Sequence, residues 1–363
     1  MQDVEHMRAA LALARRGLGS AWPNPSVGCV LVRDGRVVGR GVTAAGGRPH
    51  AERVALDMAG ADARGATAYV TLEPCAHHGQ TPPCADALVQ AGVGRVVIAS
   101  GDPDPRVNGR GIARLEAAGI AVATGLLGAE ADALQQGFLT RLRLGRPMVT
   151  LKLASTLDGR IATRSGQSQW ITGPQARRAA HAIRAQHDAV MVGSGTVQAD
   201  NPELTCRIPG LRRGPDLRIV ADTHLRTRLL SRVVASARET PTWFLHGPGA
   251  DPGRMAAMQE AGARLIGVRL GEPGIDLTEA LAALGAAGLT RVLVEGGAQL
   301  AGALLRAGIV DRLAWFHAPS VMGGDGLPAA AAFGTTALDA MPHFVRTEQR
   351  ALGADLLTLY ARS

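Results

Sequence analysis

The apolar residues of this chain follow helical and strand periodicities in alternation. Apolar positions at helical spacing predict an amphipathic helix over residues 3–17. Two short apolar runs follow at 27–32 and 36–42, and Asp34-Gly35 between them predicts a tight β-hairpin. The pattern then predicts helices at 50–59, 83–91, 111–118 and 129–144 and strands at 66–72, 95–99 and 120–124. Strands separated by helices indicate an α/β layered domain.

A second alternation begins after residues 142–148, where LRLGRPM interrupts the pattern with glycine and proline. We therefore expect one domain over 1–145 and another over 146–363. In the second domain the pattern predicts strands at 149–154, 189–192, 217–221, 242–245, 265–268, 292–294, 312–317 and 356–361 and helices at 174–185 and 298–306. No uncharged apolar stretch reaches the roughly 18 residues of a transmembrane helix, so we expect no membrane span.

Composition and charge narrow the classes of function. The chain has 39 Lys and Arg against 31 Asp and Glu, a formal charge of +8, and Lys152 is its single lysine. A hydrophobic fraction of 46% excludes a disordered protein. A basic balance suits nucleic acid, a membrane surface or anionic small molecules. Aromatic residues make up only 3% of the chain, which argues against base stacking on single strands.

Four residues in the first half have the pattern of a catalytic zinc site. His50 and Glu52 lie two positions apart, Cys75 follows Glu52 by 23 positions, and eight residues separate Cys75 from Cys84. One imidazole and two thiolates leave a tetrahedral position open for a water, which distinguishes catalytic from structural zinc. Zinc deaminases use H-x-E and a cysteine pair in this way, with the glutamate as proton carrier. We expect His50, Cys75 and Cys84 to bind zinc and Glu52 to move protons.

Several neighbours of this pattern have two interpretations. His77 and His78 lie between the two cysteines and either compete as ligands or line the substrate entrance. Asn24, in a loop between two prolines, either hydrogen-bonds a pyrimidine edge or closes a turn. Cys29 lies in an apolar strand and is expected in the core. Four cysteines are too few for a disulfide-stapled secreted fold, so we expect a reducing, cytoplasmic compartment.

The second half contains no Rossmann fingerprint, but two glycine-rich turns follow predicted strands. Gly193-Ser194-Gly195 could present backbone N–H groups to a phosphate. Gly296-Gly297 precedes a predicted helix, whose N-terminal dipole favours negative charge. The alternative for Gly296-Gly297 is a tight turn between strand and helix.

Longer motifs carry a resemblance to a known family. PNPSVGCVLV, PHAE and TLEPCAHHGQTPPCADAL in the first half, and LKLASTLDGRIAT, SQWITGPQARR, VGSGTVQADNPELT and VEGGAQLAGALL in the second, are similar to the bifunctional riboflavin-biosynthesis deaminase/reductases. The resemblance implies an N-terminal cytidine-deaminase-like α/β/α domain and a C-terminal dihydrofolate-reductase-like α/β domain. It also implies zinc-dependent deamination of 2,5-diamino-6-ribosylamino-pyrimidinone 5′-phosphate, followed by reduction of the ribosyl group to ribityl with NADPH.

The resemblance also implies roles for individual residues. His50, Cys75 and Cys84 match the zinc ligands, and Glu52 matches the proton shuttle. Nicotinamide-cofactor contacts are implied at Ala154, Trp170, Thr196, Asp200, Thr223, Gly297, Ala298, Gln299, Leu300, Ala301, Gly302 and Ala303. Substrate contacts are implied at Ser168, Arg184, Leu204, Arg207 and Glu295, with Arg184 and Arg207 suited to a terminal phosphate. The alternative for Arg184 is a position on a solvated helix face, with no role in binding.

Reduction of the opened ribosylamine needs a proton donor or a cation near its nitrogen. Lys152, Asp200 and Glu295 are the ionisable residues within the matched motifs, and we expect them to share this role. Asp158-Gly159 is expected to form a structural turn rather than to contact a ligand.

Two rival functions and the partners complete the expectations. A nucleic-acid deaminase would use the basic surface to bind phosphates, but the cysteine spacing and the second α/β domain argue against it. A working deaminase fused to an inactive domain is the other rival. We expect phosphorylated pyrimidine small molecules as partners, no nucleic acid, no membrane, and a homo-oligomer, dimeric or larger, as the resemblance implies.

Overall fold

A computed structural model describes residues 2–77, 82–211, 216–272 and 274–363 of the chain. It forms two compact units, Met1–Gly145 and Arg146–Ser363. His78, one of the two histidines between the cysteines, lies outside the described residues.

The N-terminal unit is built around one five-stranded sheet. Its helices are α1 (Gln2–Gly17), α2 (Ala51–Ala59), α3 (Cys84–Gln90), α4 (Arg110–Ala117) and α5 (Gly128–Leu144), and its strands are β1 (Gly28–Arg33), β2 (Arg36–Val42), β3 (Thr67–Val70), β4 (Arg95–Ile98) and β5 (Ala121–Thr124). The strand order is β2-β1-β3-β4-β5, in which β3, β4 and β5 run parallel. The predicted hairpin is confirmed, because Asp34 and Gly35 both adopt the positive φ values of a type I′ turn.

The two faces of this sheet are covered by different helices. Cys29 and Leu31 point to a cluster that includes Ala51 and Leu88 of α2 and α3. The alternate residues, Val30 among them, pack against α1 and α5. The predicted α/β/α layering is therefore confirmed, and so is the core position of Cys29, which has no exposed surface.

The C-terminal unit is built around a nine-stranded sheet, and two further pairs of strands, β12-β13 and β7-β16, lie outside that sheet. The strands of the whole unit are β6 (Met148–Ser155), β7 (Arg160–Ala162), β8 (Ala189–Gly193), β9 (Leu217–Ala221), β10 (Thr242–His246), β11 (Arg264–Gly267), β12 (Leu270–Gly271), β13 (Gly274–Ile275), β14 (Arg291–Glu295), β15 (Arg312–His317), β16 (Leu327–Pro328), β17 (Phe344–Leu352) and β18 (Asp355–Arg362). Its helices are α6 (Pro174–Ala185), α7 (Ser194–Asp200), α8 (Arg232–Ala235), α9 (Pro252–Glu260), α10 (Leu277–Ala286) and α11 (Ala298–Arg306). The sheet order is β11-β10-β9-β8-β14-β6-β15-β18-β17, parallel from β11 to β15 and antiparallel over the last two strands.

Several elements of this unit were not predicted from the sequence. Helices α9 and α10 both begin after an aspartate whose side chain caps the first turn, a signal present in the sequence. Helix α7 was expected only as a phosphate-binding turn. Strand β17 is exposed along nearly all of its length, so no apolar alternation marks it and its pairing with β18 defines it. The Asp158 turn is confirmed as structural, since its carboxylate accepts hydrogen bonds from the Met322 and Gly323 N–H groups at 3.0 and 2.7 Å.

Gly28 makes the close contact between α1 and β1 possible. A Cβ at this position would lie 1.9 Å from the Ala10 carbonyl oxygen and 2.9 Å from the Ala14 nitrogen. Both atoms belong to the backbone of α1, so the helix itself would have to move away from the sheet.

We predict that Gly28→Ala lowers the free energy of unfolding of the N-terminal unit by about 1–3 kcal/mol, the range for overpacking a core. Gly101→Ala is the matched control, because its Cβ would meet only the Glu73 Oε2 atom at 3.9 Å. Urea unfolding followed by circular dichroism measures both. Equal stability of the two variants would contradict the predicted clash.

Candidate functional site

Three elements of the N-terminal unit bring His50, Cys75 and Cys84 together. His50 is the N-cap residue of α2, Cys75 lies in the segment after β3, and Cys84 opens α3. The His50 Nδ1 atom lies 3.3 Å from Cys84 Sγ and 3.7 Å from Cys75 Sγ. The ligand atoms of all three residues lie within 4.8 Å of one another, and this is the metal-binding group identified among the described residues.

This donor set fits zinc. One imidazole nitrogen and two thiolates form the ligand set of a catalytic site, which keeps a further position for water. The Cys84 backbone N–H donates to Cys75 Sγ over 3.3 Å, so the first turn of α3 orients the other cysteine and favours its thiolate.

Glu52 lies in the first turn of α2 and is only 3% exposed. Burial, with the nearby Cys75 sulfur, raises the pKa of the Glu52 carboxyl to about 7. A carboxyl group with such a pKa can both accept and release a proton near neutral pH. The pKa of Cys75 is lowered to about 4, first by its hydrogen bond with the Cys84 thiol, although burial opposes the shift.

The remaining predicted residues of this unit surround the cluster. Asn24 donates from Nδ2 to the Gly47 carbonyl oxygen over 2.9 Å, and the same atom lies 3.4 Å from His50 Nε2. The amide thus holds a turn and borders the imidazole at once. His77 does not belong to the three-residue cluster, and its buried Nδ1 atom has no hydrogen-bond partner within the described ranges.

In the C-terminal unit, strand register brings Lys152 and Glu295 side by side. Parallel strands β6 and β14 are neighbours, and Lys152 of β6 pairs in register with Glu295, the last residue of β14. Glu295 is 7% exposed, whereas Lys152 is half-buried. Its ammonium nitrogen lies 5.8 Å from the centre of the Phe316 ring.

Arg184 of α6 is the ionic partner of Glu295. Its Nε atom donates to Oε1 over 2.5 Å and one terminal nitrogen donates to Oε2 over 2.9 Å, while the other donates to the Thr205 carbonyl oxygen over 2.9 Å. The side chain is only 13% exposed, so the solvated-face alternative is wrong. The implied role of Arg184 as half of a phosphate-binding pair stays a prediction, and in this structure its guanidinium binds a carboxylate of the protein.

The charged groups of this cluster shift one another's pKa values. Burial would raise the pKa of Glu295, but the Arg184 charge and hydrogen bonds, with Lys152, outweigh it and lower the pKa to about 2. The pKa of Lys152 is lowered by burial, while the Glu295 charge opposes the shift. Within the described parts of the chain, no hydrogen bond or ion pair joins the exposed Asp200 to either residue.

Sequence analysis missed His181, which faces the same cluster. Its charge contributes to lowering the pKa of Glu295, and its Nδ1 atom accepts from the Arg207 N–H over 3.2 Å. Burial, Arg184 and Arg207 lower the pKa of His181 itself. His181 lies three residues before Arg184 on α6, so helical spacing was the signal that could have identified it.

Two predicted cofactor positions meet at the ends of β8 and β14. A Cβ on Gly297 would lie 3.1 Å from Thr196 Oγ1, and the φ values of +69° and +79° at Gly296 and Gly297 favour glycine. The turn therefore leaves an open cradle before the N-terminus of α11. Such a cradle suits a pyrophosphate.

The rest of the predicted run differs in its exposure. Leu300, Ala301 and Gly302 are buried, and a Cβ on Gly302 would lie 2.7 Å from the Ala331 carbonyl oxygen. Their side of α11 faces the core. The cofactor contacts implied for the run stay a prediction, and its accessible members are Gly297, Ala298 and Gln299, with Ala303 half-buried.

The remaining predicted residues are distributed over the same side of the unit. Trp170 is 67% exposed with the Arg177 guanidinium 4.4 Å from its ring centre, while Leu204 is buried in the core at 2%. Arg207 is exposed and pairs with Glu203 over 3.1 Å. The half-buried residues among the predicted contacts are Ala154, Ser168 and Thr223.

Comparison with known proteins places these sites in one family. The cytidine and deoxycytidylate deaminase zinc-binding region matches residues 1–100, and the RibD C-terminal domain matches residues 147–357. The riboflavin biosynthesis protein RibD of Escherichia coli K12 is 45% identical over 367 residues, which covers 98% of each chain. This chain belongs to the RibD family.

Solved structures of RibD proteins agree with the fold. Acinetobacter baumannii RibD has a TM-score of 0.87 at 36% identity, covering 100% of this chain and 99% of its own. The Thermotoga maritima diaminohydroxyphosphoribosylaminopyrimidine deaminase/5-amino-6-(5-phosphoribosylamino)uracil reductase has a TM-score of 0.85 at 33% identity, with the same coverage.

The chain is thus a bifunctional deaminase/reductase of riboflavin biosynthesis that acts on small phosphorylated pyrimidines. It combines a cytidine-deaminase-like domain that binds zinc with a dihydrofolate-reductase-like RibD domain that uses NADPH. None of the helices in the described residues is long and apolar enough to cross a membrane.

The buried ion pair predicts a stability effect. Arg184→Met would remove the hydrogen-bonded partner of the buried Glu295 carboxylate and leave Lys152 as its nearest cation. It should lower the free energy of unfolding by about 3–5 kcal/mol. Adding Glu295→Gln removes the isolated charge and should restore part of that loss. Arg178→Met, at an exposed position of the same helix, should stay within about 0.5 kcal/mol of the parent protein.

Urea unfolding followed by tryptophan fluorescence measures these changes, because Trp170, Trp243 and Trp315 all lie in this unit. An Arg184→Met protein as stable as Arg178→Met would show that the pair does not stabilise the fold.

Proposed function

We propose that the N-terminal unit hydrolyses the amine from 2,5-diamino-6-ribosylamino-4(3H)-pyrimidinone 5′-phosphate. The C-terminal unit then reduces the ribosyl group of 5-amino-6-(5-phosphoribosylamino)uracil to ribityl with NADPH. The observation that carries the first half is the buried Glu52 beside the convergent His50, Cys75 and Cys84. The Thermotoga relative, named for both activities and covered almost throughout, supports the pair of substrates.

In the deaminase site the chain supplies the ligands and the proton carrier. Zinc bound by His50, Cys75 and Cys84 would activate a water for attack on the carbon that carries the amine. Glu52 accepts one proton from that water and delivers it to the ring nitrogen. It then takes a second proton from the hydroxyl added to the carbon and passes it to the amine, which leaves as ammonia while the carbonyl forms. A pKa near 7 suits a carboxyl group that must both take up and release the proton. Asn24, beside His50, is positioned to meet the edge of the pyrimidine.

In the reductase site, the charged residues around Glu295 have different roles. NADPH supplies the hydride that adds to the sugar carbon once the ribosylamine has opened to an imine. Glu295, whose pKa is lowered to about 2, remains ionised and therefore does not donate a proton. Lys152 is the better donor to the nitrogen, because burial lowers its pKa while Glu295 keeps an anion beside it. Asp200 is proposed as a second acid on the family motif alone, and burial raises the pKa of its carboxyl.

The substrate phosphate needs a cationic side chain that is not already paired with a buried carboxylate, as Arg184 is. Arg207 is exposed, and among the described residues it forms an ion pair with Glu203, whose side chain is also accessible. Such a surface pair contributes little and exchanges readily for a dianionic phosphate. Arg207 therefore binds the phosphate, while Arg184 positions Glu295.

The assembly and the location of the enzyme are part of the same proposal. We expect a homo-oligomer, dimeric or larger, as the resemblance to the family implies. The zinc ligands must be reduced thiolates, so the enzyme works in the cytoplasm, where thiols stay reduced.

We predict that Glu52→Gln retains zinc but lowers the rate of deamination by about 10²–10⁴-fold, the usual contribution of general acid–base catalysis. Cys84→Ser should lose the zinc as well, whereas Cys206→Ser, in the other unit, should retain both zinc and activity. Ammonia release and zinc content by atomic absorption distinguish the three. Substantial turnover by Glu52→Gln would exclude Glu52 as the proton carrier.

A further inference from the structure

His181 of α6 is a half-buried histidine that no step described above uses. Its Nδ1 atom accepts a hydrogen bond from the backbone N–H of Arg207 over 3.2 Å. Its own carbonyl oxygen accepts from the Cys206 thiol over 3.3 Å. Both donors belong to the segment 203–207, which follows α7 and carries the arginine assigned above to the substrate phosphate. The side chain and the backbone of His181 thus each contact this segment.

Arg184, one helical turn further along α6, contacts the same segment. One terminal nitrogen donates to the Thr205 carbonyl oxygen over 2.9 Å, while the other two guanidinium nitrogens hold the Glu295 carboxylate. Residues three apart in a helix lie on one face, so His181 and Arg184 make their contacts from the same side of α6. The helix therefore connects the segment that carries Arg207 to the charged residues at the reacting end of the site.

The segment is also anchored to the core of the unit. Leu204 is buried and has a φ of +57°, a left-handed conformation that a leucine keeps only where its surroundings fix it. The Cys206 N–H donates to the Asp216 carboxylate, 3.2 Å from each oxygen. Arg207 is exposed at the end of this anchored stretch, and the His181 imidazole holds its backbone N–H.

The hydrogen bond to Arg207 requires a neutral imidazole. A protonated histidine donates from both ring nitrogens and cannot accept a backbone N–H. The charged groups that face the ring are Arg184 on its own helix, Arg207 in the segment and Glu295 at the end of β14. Burial and the two arginines lower the pKa of His181, although Glu295 and a hydrogen bond with the Thr205 backbone oppose the shift. The neutral imidazole is therefore the form present near neutral pH.

We propose that His181 is a positioning residue of the reductase, which holds the segment 203–207 so that the Arg207 guanidinium meets the substrate phosphate. The inference rests on the proposed reductase function and adds the residue that orients the phosphate-binding arginine. A cation whose backbone is already fixed loses less conformational freedom when it binds. His181 therefore affects the affinity for the phosphorylated substrate and not the affinity for NADPH.

Two substitutions with helix propensities close to that of histidine test the proposal in the zinc-loaded full chain. His181→Phe keeps a ring but removes the acceptor, and should raise the KM for 5-amino-6-(5-phosphoribosylamino)uracil by about 3- to 10-fold, the range for losing one hydrogen bond. His181→Asn offers an amide oxygen in place of Nδ1 and should restore most of the affinity. Neither variant should change kcat or the affinity for NADPH. NADPH oxidation and isothermal titration with NADPH measure these quantities.

The pH dependence of KM separates positioning from packing. The KM of the parent protein should rise as the pH falls through the pKa of His181, because protonation breaks the hydrogen bond to Arg207. His181→Asn cannot titrate at this position and should lack that rise. Protonation of the substrate phosphate affects both proteins alike, so the ratio of their KM values from about pH 8 to about pH 5 isolates the contribution of His181. This comparison decides the question even if His181→Phe fails to fold.

His317→Phe is the matched control. His317 is also half-buried, and burial lowers its pKa as well. It pairs in register with Ser155, three positions beyond Lys152 on β6, so its side chain lies on the opposite face of the sheet from Lys152. This variant should leave kcat, KM and the pH dependence of KM unchanged.

The remaining outcomes contradict the proposal. An unchanged KM in His181→Phe, an equal rise in both variants or a KM ratio that does not vary with pH would show that the imidazole does not position Arg207. A parallel loss of kcat or of NADPH affinity would assign His181 a structural role. A KM that falls at acid pH relative to His181→Asn would mean that the protonated ring binds the phosphate itself. If the parent protein does not oxidise NADPH with this substrate, the proposed reductase function fails together with the inference.

Discussion

Parallel strands determine where the site residues of both units lie, because the carboxyl ends of these strands meet at one edge of each sheet. In the N-terminal unit the segment after β3 carries Cys75 to the start of α2 and α3, where the other two ligands lie. In the C-terminal unit the pairing of β6 with β14 sets Lys152 beside Glu295, and the turn after β14 supplies the glycine cradle. A shift of one residue in that register would turn one of these side chains to the other face of the sheet.

Two buried glutamates show how environment divides the roles of one residue type. Glu52 has no arginine or lysine partner among the groups that shift its pKa, and burial raises that pKa to about 7. Glu295 is equally buried but is held by Arg184 and faces Lys152, so its pKa falls to about 2. The first can carry a proton during hydrolysis, whereas the second provides a fixed negative charge beside a cation.

The parts of the structure that sequence predicts best are those in which local pattern and chemistry agree. Spacing alone identified His50, Glu52, Cys75 and Cys84, because zinc chemistry restricts both residue type and order. The partner of Arg184 could not be predicted in this way, since Glu295 lies 111 residues further along the chain and only the sheet and α6 bring them together. Likewise, the burial of Ala301 depends on which face of α11 meets the sheet.

The central claim is that one chain carries two successive reactions on a phosphorylated pyrimidine. Incubation of the protein with the diaminopyrimidine phosphate, zinc and NADPH, followed by mass spectrometry of the products, tests it directly. The account predicts a product in which one amine is replaced by oxygen and two hydrogens are added, and only the first change when NADPH is omitted. Product with neither change, or with the amine intact in the presence of zinc, would contradict it.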